Sequence, residues 1–167
     1  MADAIGNAST TLAEVIAEFL EIVPNPIIAG GFAMAHHGVI RATVDIDVIS
    51  LTSITKLIPK FESRGYRRET MQLPIGALDL LTKGNKGIDF IHLNNSKFVK
   101  SIEKRAVEGF FLKHPIRFVS IEDLIILKHL ANIGRSKKMD EADLEILLKK
   151  SYDTRYVQKW LSALKRV

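Results

Sequence analysis

The chain has 167 residues, 47% hydrophobic and 26% charged, which predicts one folded domain with its own core and excludes a disordered chain. It contains no cysteine, so disulfides and thiolate metal sites are excluded as well. The formal net charge of +5 favours an anionic partner such as a nucleotide or RNA.

The first predicted element is an amphipathic helix over residues 11–23. Thr11 and Glu14 have the spacing of a capping box, and the apolar residues that follow recur at i, i+3 and i+4. Pro24-Asn25-Pro26 ends this helix. The N-terminal segment carries Asp3 and Glu14 and lacks the basic leader of a signal peptide. No stretch is long and apolar enough for a membrane span, so we expect a cytoplasmic protein without a membrane association.

A glycine turn follows the helix. The apolar strand Ile27–Ala29 runs into Gly30 and Gly31, and residues 32–37 predict a short helix. Glycines at a strand-to-helix turn let backbone N–H groups approach a phosphate closely. The adjacent His36 and His37 diverge on this helix, which favours packing over joint metal binding.

Asp45 and Asp47 are the most informative residues of the sequence. They lie on a predicted strand, where alternate side chains point to the same face, so their Cα atoms are about 6–7 Å apart on that face. Two like charges on one face repel unless a cation lies between them. Mg²⁺ typically takes one or two carboxylates and leaves its other positions to water and phosphate oxygens. The pair therefore predicts a magnesium site.

A third carboxylate is expected on a later strand. The predicted elements here are a helix over residues 54–64 capped by Thr52-Ser53 and strands over residues 66–69, 77–82 and 87–93, the last two joined by the turn 83–87. Asp89 lies within an apolar run, and a buried isolated carboxylate usually implies a cation or an ionic partner. Asp79 on the preceding strand is a rival candidate, and the residues themselves leave both possible.

The C-terminal half adds helices and two more strands. The predicted helices cover residues 96–105, 121–131 after the cap Ser120, 139–150 and 154–166, and the predicted strands cover residues 107–112 and 116–119. We therefore expect an α+β fold with a mixed, twisted β-sheet. Residues 1–133 would form its body, and residues 134–167 a helical C-terminal extension of the same domain.

The run from Gly30 to Asp47 resembles the signature of the DNA polymerase β-like nucleotidyltransferase superfamily, which is a Gly-Gly turn, then Asp-x-Asp, then a third acidic residue on a later strand. Arg41-x-Thr43 before Asp-x-Asp is most similar to the branch of abortive-infection and type IV toxin nucleotidyltransferases. The run Ser120–Lys128, followed by Arg135 and by Asp140-x-x-Asp143, is also similar to that branch. The resemblance spans residues 27–147.

The resemblance implies a metal-dependent enzyme that moves a nucleoside monophosphate from a triphosphate to a hydroxyl and releases pyrophosphate, with Mg²⁺ or Mn²⁺ as cofactor. The implied site residues are Asp45, Asp47 and Asp89 for metal binding and catalysis, and Gly30, Gly31, Thr43 and Lys128 for the nucleotide. Asp89 is preferred over Asp79 because the family places its third carboxylate on the strand just before the helix at residues 96–105. Arg41 would either neutralise phosphate charge or pair with Asp45 or Asp47 when metal is absent.

The acceptor is predicted from charge and from the resemblance. The basic groups are Arg64/Arg67/Arg68, Lys97/Lys100/Lys104/Arg105 and Arg135/Lys137/Lys138, which could follow a nucleic-acid backbone. RNA, such as a tRNA 3′ end, is the first choice. An aminoglycoside or lincosamide antibiotic is the second and a partner protein the third. A non-catalytic nucleotide- or RNA-binding member of a toxin–antitoxin pair, with a cognate antitoxin as partner, is the alternative class.

Overall fold

The computed structural model describes residues 10–134 and 138–165, apart from the side chains of residues 132–134 and 138–139. The helices are α1 (Leu12–Ile22), α2 (Gly30–His36), α3 (Ile58–Glu62), α4 (Ser96–Arg105), α5 (Ile121–Gly134), α6 (Lys138–Leu148) and α7 (Thr154–Leu164). The strands are β1 (Ile27–Ala29), β2 (Asp45–Ile49), β3 (Arg67–Leu73), β4 (Gly76–Lys83), β5 (Lys86–Leu93), β6 (Val107–Phe111) and β7 (His114–Phe118). None of the helices in these ranges is both long and apolar enough to cross a membrane.

The strands form one twisted, seven-stranded sheet in the order β3-β4-β5-β2-β1-β7-β6. The sheet is mixed, because β2 runs parallel to β5 and β1 parallel to β7, whereas the other neighbours are antiparallel. The predicted α+β fold with a mixed sheet is therefore confirmed. Strand β2, which begins at Asp45, lies in the middle of the sheet between β1 and β5.

One face of the central strands is apolar and packs against helices. Val48 of β2 and Phe90 of β5 are paired in register and are almost fully buried. The Phe90 ring lies 6.4 Å from the ring of Phe19 in α1 and 5.9 Å from that of Phe61 in α3. Because side chains alternate along a strand, Asp47 and Asp89 lie on the opposite face.

The C-terminal helix α7 is fastened to α4 and α5. Tyr156 of α7 donates a hydrogen bond of 2.7 Å to the buried carboxylate of Asp123 in α5, and Ser101 of α4 lies 2.7 Å from the Tyr156 hydroxyl. The Trp160 ring lies 5.0 Å from the ring of Phe98 in α4. These polar and aromatic contacts hold the helices of the C-terminal half as one packed layer.

Helix α3 is shorter than the sequence predicted, since it covers Ile58–Glu62 instead of residues 54–64. Thr52 and Ser53 do not cap it, because the residue before the helix is Leu57 and it makes no side-chain capping bond. The physical reason is Pro59, which is tolerated only in the first turn of a helix because it lacks a backbone N–H. The helix must therefore begin just before this proline.

Strands β3 and β7 differ most from their predicted bounds, and the other predicted strands agree to within one residue at each end. Strand β3 continues to Leu73 instead of ending at residue 69, because it pairs with β4 along its whole length. Strand β7 begins at His114 instead of Ile116, because the connection to β6 is a two-residue turn at Leu112 and Lys113. The predicted helical end at residue 166 lies outside the described residues.

Asp79 is held in a polar cluster on strands β3, β4 and β5. Its carboxylate accepts hydrogen bonds from Arg68 (2.8 Å) and Thr70 (2.6 Å) and lies 2.8 Å from Nε2 of His92. Its side chain is 6% exposed. Asp79 pairs in register with Phe90, so it lies on the face of the sheet opposite Asp89. Its contacts are those of a structural carboxylate.

We expect this cluster to make the stability of the fold depend on pH in the acidic range. Burial alone would raise the pKa of Asp79, but the hydrogen bonds from Arg68, Thr70 and His92 outweigh burial and lower the pKa below its ordinary value of 3.8. Such a carboxyl stabilises the fold above the unfolded pKa, and this contribution is lost as pH falls through the lower folded pKa. Urea unfolding from about pH 6 to pH 2 should therefore show a loss of stability that begins near pH 4 and that is smaller in Asp79→Asn. An equal acid loss in both proteins would contradict this assignment.

Candidate active site

Three carboxylates lie on one face of two neighbouring strands. Strands β2 and β5 are parallel, and their register places Asp47 beside Asp89 and Asp45 beside Gly87. Partners across a parallel ladder share a face, and so do alternate residues along a strand. The side chains of Asp45, Asp47 and Asp89 are therefore brought to the same surface of the sheet.

Gly87 lets two of these carboxylates lie close to the backbone of β5. A Cβ atom at this position would lie 3.0 Å from Oδ1 of Asp45 and 3.7 Å from Oδ1 of Asp89. Both oxygens thus lie close to Gly87, and any larger residue at this position would crowd the carboxylate of Asp45. A glycine inside a strand often marks such a close approach of another group.

The carboxylate oxygens of this face are of the kind that hard cations prefer. In the described part of the chain, no group of three or more His, Asp or Glu side chains is placed to hold a metal ion. Mg²⁺ needs fewer, because it takes one or two carboxylates and keeps water and phosphate oxygens as its other ligands. The carboxylate oxygens of Asp45 and Asp89, which lie on either side of Gly87, fit this choice of ligands.

Gly30 brings the backbone against Asp47. Its φ angle of +58° lies in the left-handed region that glycine adopts without strain. A Cβ atom on Gly30 would overlap the carboxylate of Asp47 and would lie 2.8 Å from the Asp47 Cβ. The first glycine of the predicted turn is therefore required both by its conformation and by the position of Asp47.

The second glycine, Gly31, contacts the segment before β2. A Cβ atom there would lie 2.8 Å from Cβ and 2.9 Å from Oγ1 of Thr43. Thr43 in turn donates a hydrogen bond of 3.3 Å to the backbone carbonyl of Asp45. Gly31 and Thr43, both predicted to contact the nucleotide, are thus packed together directly beside the Asp-x-Asp strand.

Opposing effects act on the pKa of the Asp47 carboxyl group. Burial raises its pKa to about 6, and the negative charge of Asp45 adds to this increase. The charges of Lys128 and Arg41 and a hydrogen bond from the Gly31 backbone N–H act in the opposite direction. A cation bound beside Asp47 would favour its charged form.

Arg41 and Lys128 are joined by the carboxylates of α6. Arg41 donates a hydrogen bond of 2.6 Å to Asp143, so it does not pair with Asp45 or Asp47 in this structure. Lys128 is buried in α5, and its ammonium lies 2.9 Å from both Asp143 and Asp140. Both cations act electrostatically on Asp47, and α6 therefore fixes positive charge next to the carboxylate face.

The other candidate residues are placed as follows. His36 stacks on Phe118 at 4.4 Å, and Nε2 of His37 lies 2.8 Å from the carbonyl of Val119, so both histidines have packing contacts. Three lysines of α4 are exposed, whereas several of the basic residues named above are paired with acidic ones: Arg64 with Glu21, Arg68 with Asp79 and Arg105 with Glu122. The predicted basic group at Arg135, Lys137 and Lys138 lies outside the described side chains.

Two features of this site were not predicted from the sequence. Gly87 was recognised only as part of a strand, although a glycine two residues before Asp89 must share its face and was a usable signal. The hydrogen bonds from Lys128 and Arg41 to Asp143 join residues far apart in sequence, and no local pattern indicates them.

Comparisons with known proteins bear on the fold. No protein-family model matches the sequence, and no curated protein matches it. The chain is similar to the solution structure of the antibiotic-resistance factor ANT(2″)-Ia, with a TM-score of 0.65, 18% identity, and coverage of 93% of this chain and 89% of that one.

Two further solved structures are similar. One is the crystal structure of ANT(2″)-Ia in complex with adenylyl-2″-tobramycin, with a TM-score of 0.64, 18% identity and coverage of 93% of this chain and 95% of that one. The other is the lincosamide antibiotic adenylyltransferase LnuA bound to lincomycin, with a TM-score of 0.58, 19% identity and coverage of 87% and 100%. At these identities the similarity concerns the fold, and the chain has the nucleotidyltransferase fold.

Proposed function

We propose that this protein is a metal-dependent nucleotidyltransferase that moves a nucleoside monophosphate from a nucleoside triphosphate to a hydroxyl group and releases pyrophosphate. The observation that carries the proposal is the register of β2 and β5, which brings Asp45, Asp47 and Asp89 to one face, with oxygens of Asp45 and Asp89 on either side of Gly87. The nucleotidyltransferase fold of the chain supports it, because the residues of the predicted signature occupy the turn and strands described above.

The chain's own residues can be given separate roles in this reaction. Asp45 and Asp47 would hold Mg²⁺ or Mn²⁺, which would neutralise phosphate charge and lower the pKa of the attacking hydroxyl. Asp89 would accept the proton of the acceptor hydroxyl while the hydroxyl oxygen attacks the α-phosphorus and the bond to pyrophosphate breaks. Gly30, Gly31, Thr43, Arg41 and Lys128 would contact the triphosphate.

We expect nucleotide binding to require the divalent cation. Without it, the triphosphate would meet the negative charges of Asp45, Asp47 and Asp89, so affinity should rise by about tenfold or more when Mg²⁺ or Mn²⁺ is added. Asp47→Ala should lose this metal-dependent gain while the protein stays folded. Isothermal titration calorimetry with a non-hydrolysable triphosphate measures both effects. Equal affinity with and without metal would argue strongly against a metal site here.

RNA is the proposed acceptor. Lys97, Lys100 and Lys104 are exposed on α4 at spacings of three and four residues, so they form one basic stripe along that helix. Together with the net charge of +5, this stripe favours electrostatic contacts to a phosphate backbone. The hydroxyl modified would be an RNA 3′ end, such as that of a tRNA.

A small-molecule acceptor is the second candidate. The similarity to ANT(2″)-Ia, which was solved with adenylyl-2″-tobramycin, and to lincomycin-bound LnuA favours an aminoglycoside or lincosamide hydroxyl. In that case the lysine stripe of α4 would be a solvated surface without a role in acceptor binding.

The acceptor can be identified by following the label of an α-labelled triphosphate. The protein is incubated with total RNA, with a protein extract and with an antibiotic panel, and label is expected in the RNA fraction. Binding to RNA should weaken roughly tenfold or more between about 50 and 200 mM salt. Reversing the charges of Lys97, Lys100 and Lys104 together should reduce RNA binding and leave triphosphate binding intact. Label found only on an antibiotic would reject the RNA acceptor.

A further inference from the structure

The two edge strands of the sheet differ in the side chains that could prevent pairing with another chain. Edge strand β3 presents the exposed charged side chains of Arg67, Arg68 and Glu69. Charges on an edge strand prevent its open backbone groups from pairing with another chain. The opposite edge, β6, instead presents Phe110, which is 72% exposed, and the adjoining turn presents Leu112, which is 62% exposed. Strand β6 therefore exposes a large aromatic side chain at its edge, beside the single charged residue Glu108.

The hairpin geometry determines which backbone groups of β6 face this edge. Phe111 and His114 flank the two-residue turn, and the pair that closes such a turn exchanges hydrogen bonds. Because bonded and open positions alternate, Gly109 also bonds β7, whereas the N–H and C=O groups of Glu108 and Phe110 point away from it. In the described part of the chain, β6 pairs with no other strand than β7.

We propose that β6 is a dimerisation strand, which pairs antiparallel with β6 of a second copy about a two-fold axis at Phe110. This axis places the two Phe110 rings opposite each other, and such a cross-strand aromatic pair stabilises a sheet. Glu108 of each copy then lies opposite the turn residue Leu112 of the other copy and next to Lys113, which follows it. The carboxylate and ammonium groups have opposite charges, so the edge is complementary to itself.

Two further features favour a second copy of the chain as the partner of β6. Phe110 forms one wall of a groove of about 680 Å³ between the β6–β7 hairpin and the end of α1, so a second ring has room beside it. Pairing of β6 with β3 of another copy would build an open chain, but the charges of β3 oppose it, and the two-fold pair closes on itself. Strands β1 and β7 separate β6 from β2, so the pairing leaves the candidate active site uncovered.

Sedimentation of the full chain over a range of concentrations tests the dimer. Wild-type protein should change reversibly from monomer to dimer, and Phe110→Lys should remain monomeric at the same concentrations. Ile146→Lys is the matched control, because Ile146 is also an exposed apolar residue, at 44%, but lies on α6. This control should dimerise like wild type. A wild-type protein that is monomeric throughout, or a control that is as monomeric as Phe110→Lys, would overturn the proposal.

A charge exchange tests the register. Glu108→Lys and Lys113→Glu should each weaken self-association by roughly tenfold, because two opposite-charge pairs become two like-charge pairs. A one-to-one mixture of these two variants should recover wild-type affinity as a mixed dimer, in which both pairs are again of opposite charge. Circular dichroism verifies that both variants are folded. A mixture that associates no better than the separate variants would overturn the pairing about Phe110.

Discussion

Asp89→Asn is expected to slow nucleotidyl transfer by about 10²–10⁴-fold while changing triphosphate affinity little. Asp89 lies beside Asp47 in the register of β2 and β5, and in the proposed reaction it accepts the proton of the acceptor hydroxyl. An amide of the same shape cannot take a proton, so the loss should appear in the transition state and not in ground-state binding. Single-turnover kinetics together with calorimetry separate these two quantities.

Asp79→Asn is the matched control for this prediction. It makes the same chemical change on the neighbouring strand, but Asp79 faces the other side of the sheet and is bonded to Arg68, Thr70 and His92. We expect a loss of stability of about 1–3 kcal/mol and a transfer rate near that of wild type when measured on folded protein. If Asp79→Asn were the slow variant and Asp89→Asn the active one, the third carboxylate would be misassigned.

Gly30→Ala is expected to reduce transfer by about 100-fold or more, because a Cβ atom at Gly30 would overlap the Asp47 carboxylate. Asp47 must then move away from its place beside Asp89, and a displacement of about 1 Å at a reacting centre can have an effect of this size. The substitution also forces alanine to a φ angle of +58°, which adds a cost in stability of about 1 kcal/mol. Rate and denaturant midpoint should be measured together.

Gly65→Ala distinguishes the effect of the clash from that of the backbone angle. Gly65 has a φ angle of +90°, but no heavy atom lies within 4 Å of its Cβ position. It should therefore show the cost in stability without the loss of transfer. Equal activity of Gly30→Ala and Gly65→Ala would show that the close approach of Gly30 to Asp47 is unimportant for the reaction.

Local patterns in the sequence determined most of the elements and part of the site. Helical periodicity and the capping box at Thr11 and Glu14 predicted α1, and both capping bonds are present. Successive side chains of a strand point to opposite faces, so Asp45 and Asp47 share a face of β2 regardless of how the rest of the chain folds. The strand-to-helix transition was predicted from Gly30 and Gly31, although α2 begins at Gly30 itself instead of at residue 32. These features depend on residues only a few positions apart, so the sequence is sufficient to predict them.

Tertiary structure decided the features that depend on pairing between distant segments. Whether Asp79 or Asp89 shares the face of Asp47 depends on the register of β4, β5 and β2, and a shift of one residue would exchange their faces. The bonds of Asp143 to Arg41 and Lys128 likewise join parts of the chain that only folding brings together. Strand β3 extended to Leu73 because β4 offered partners along its whole length, although its own residues are mostly polar. Backbone pairing across a sheet is non-local, and it therefore determined these features where local sequence preference did not.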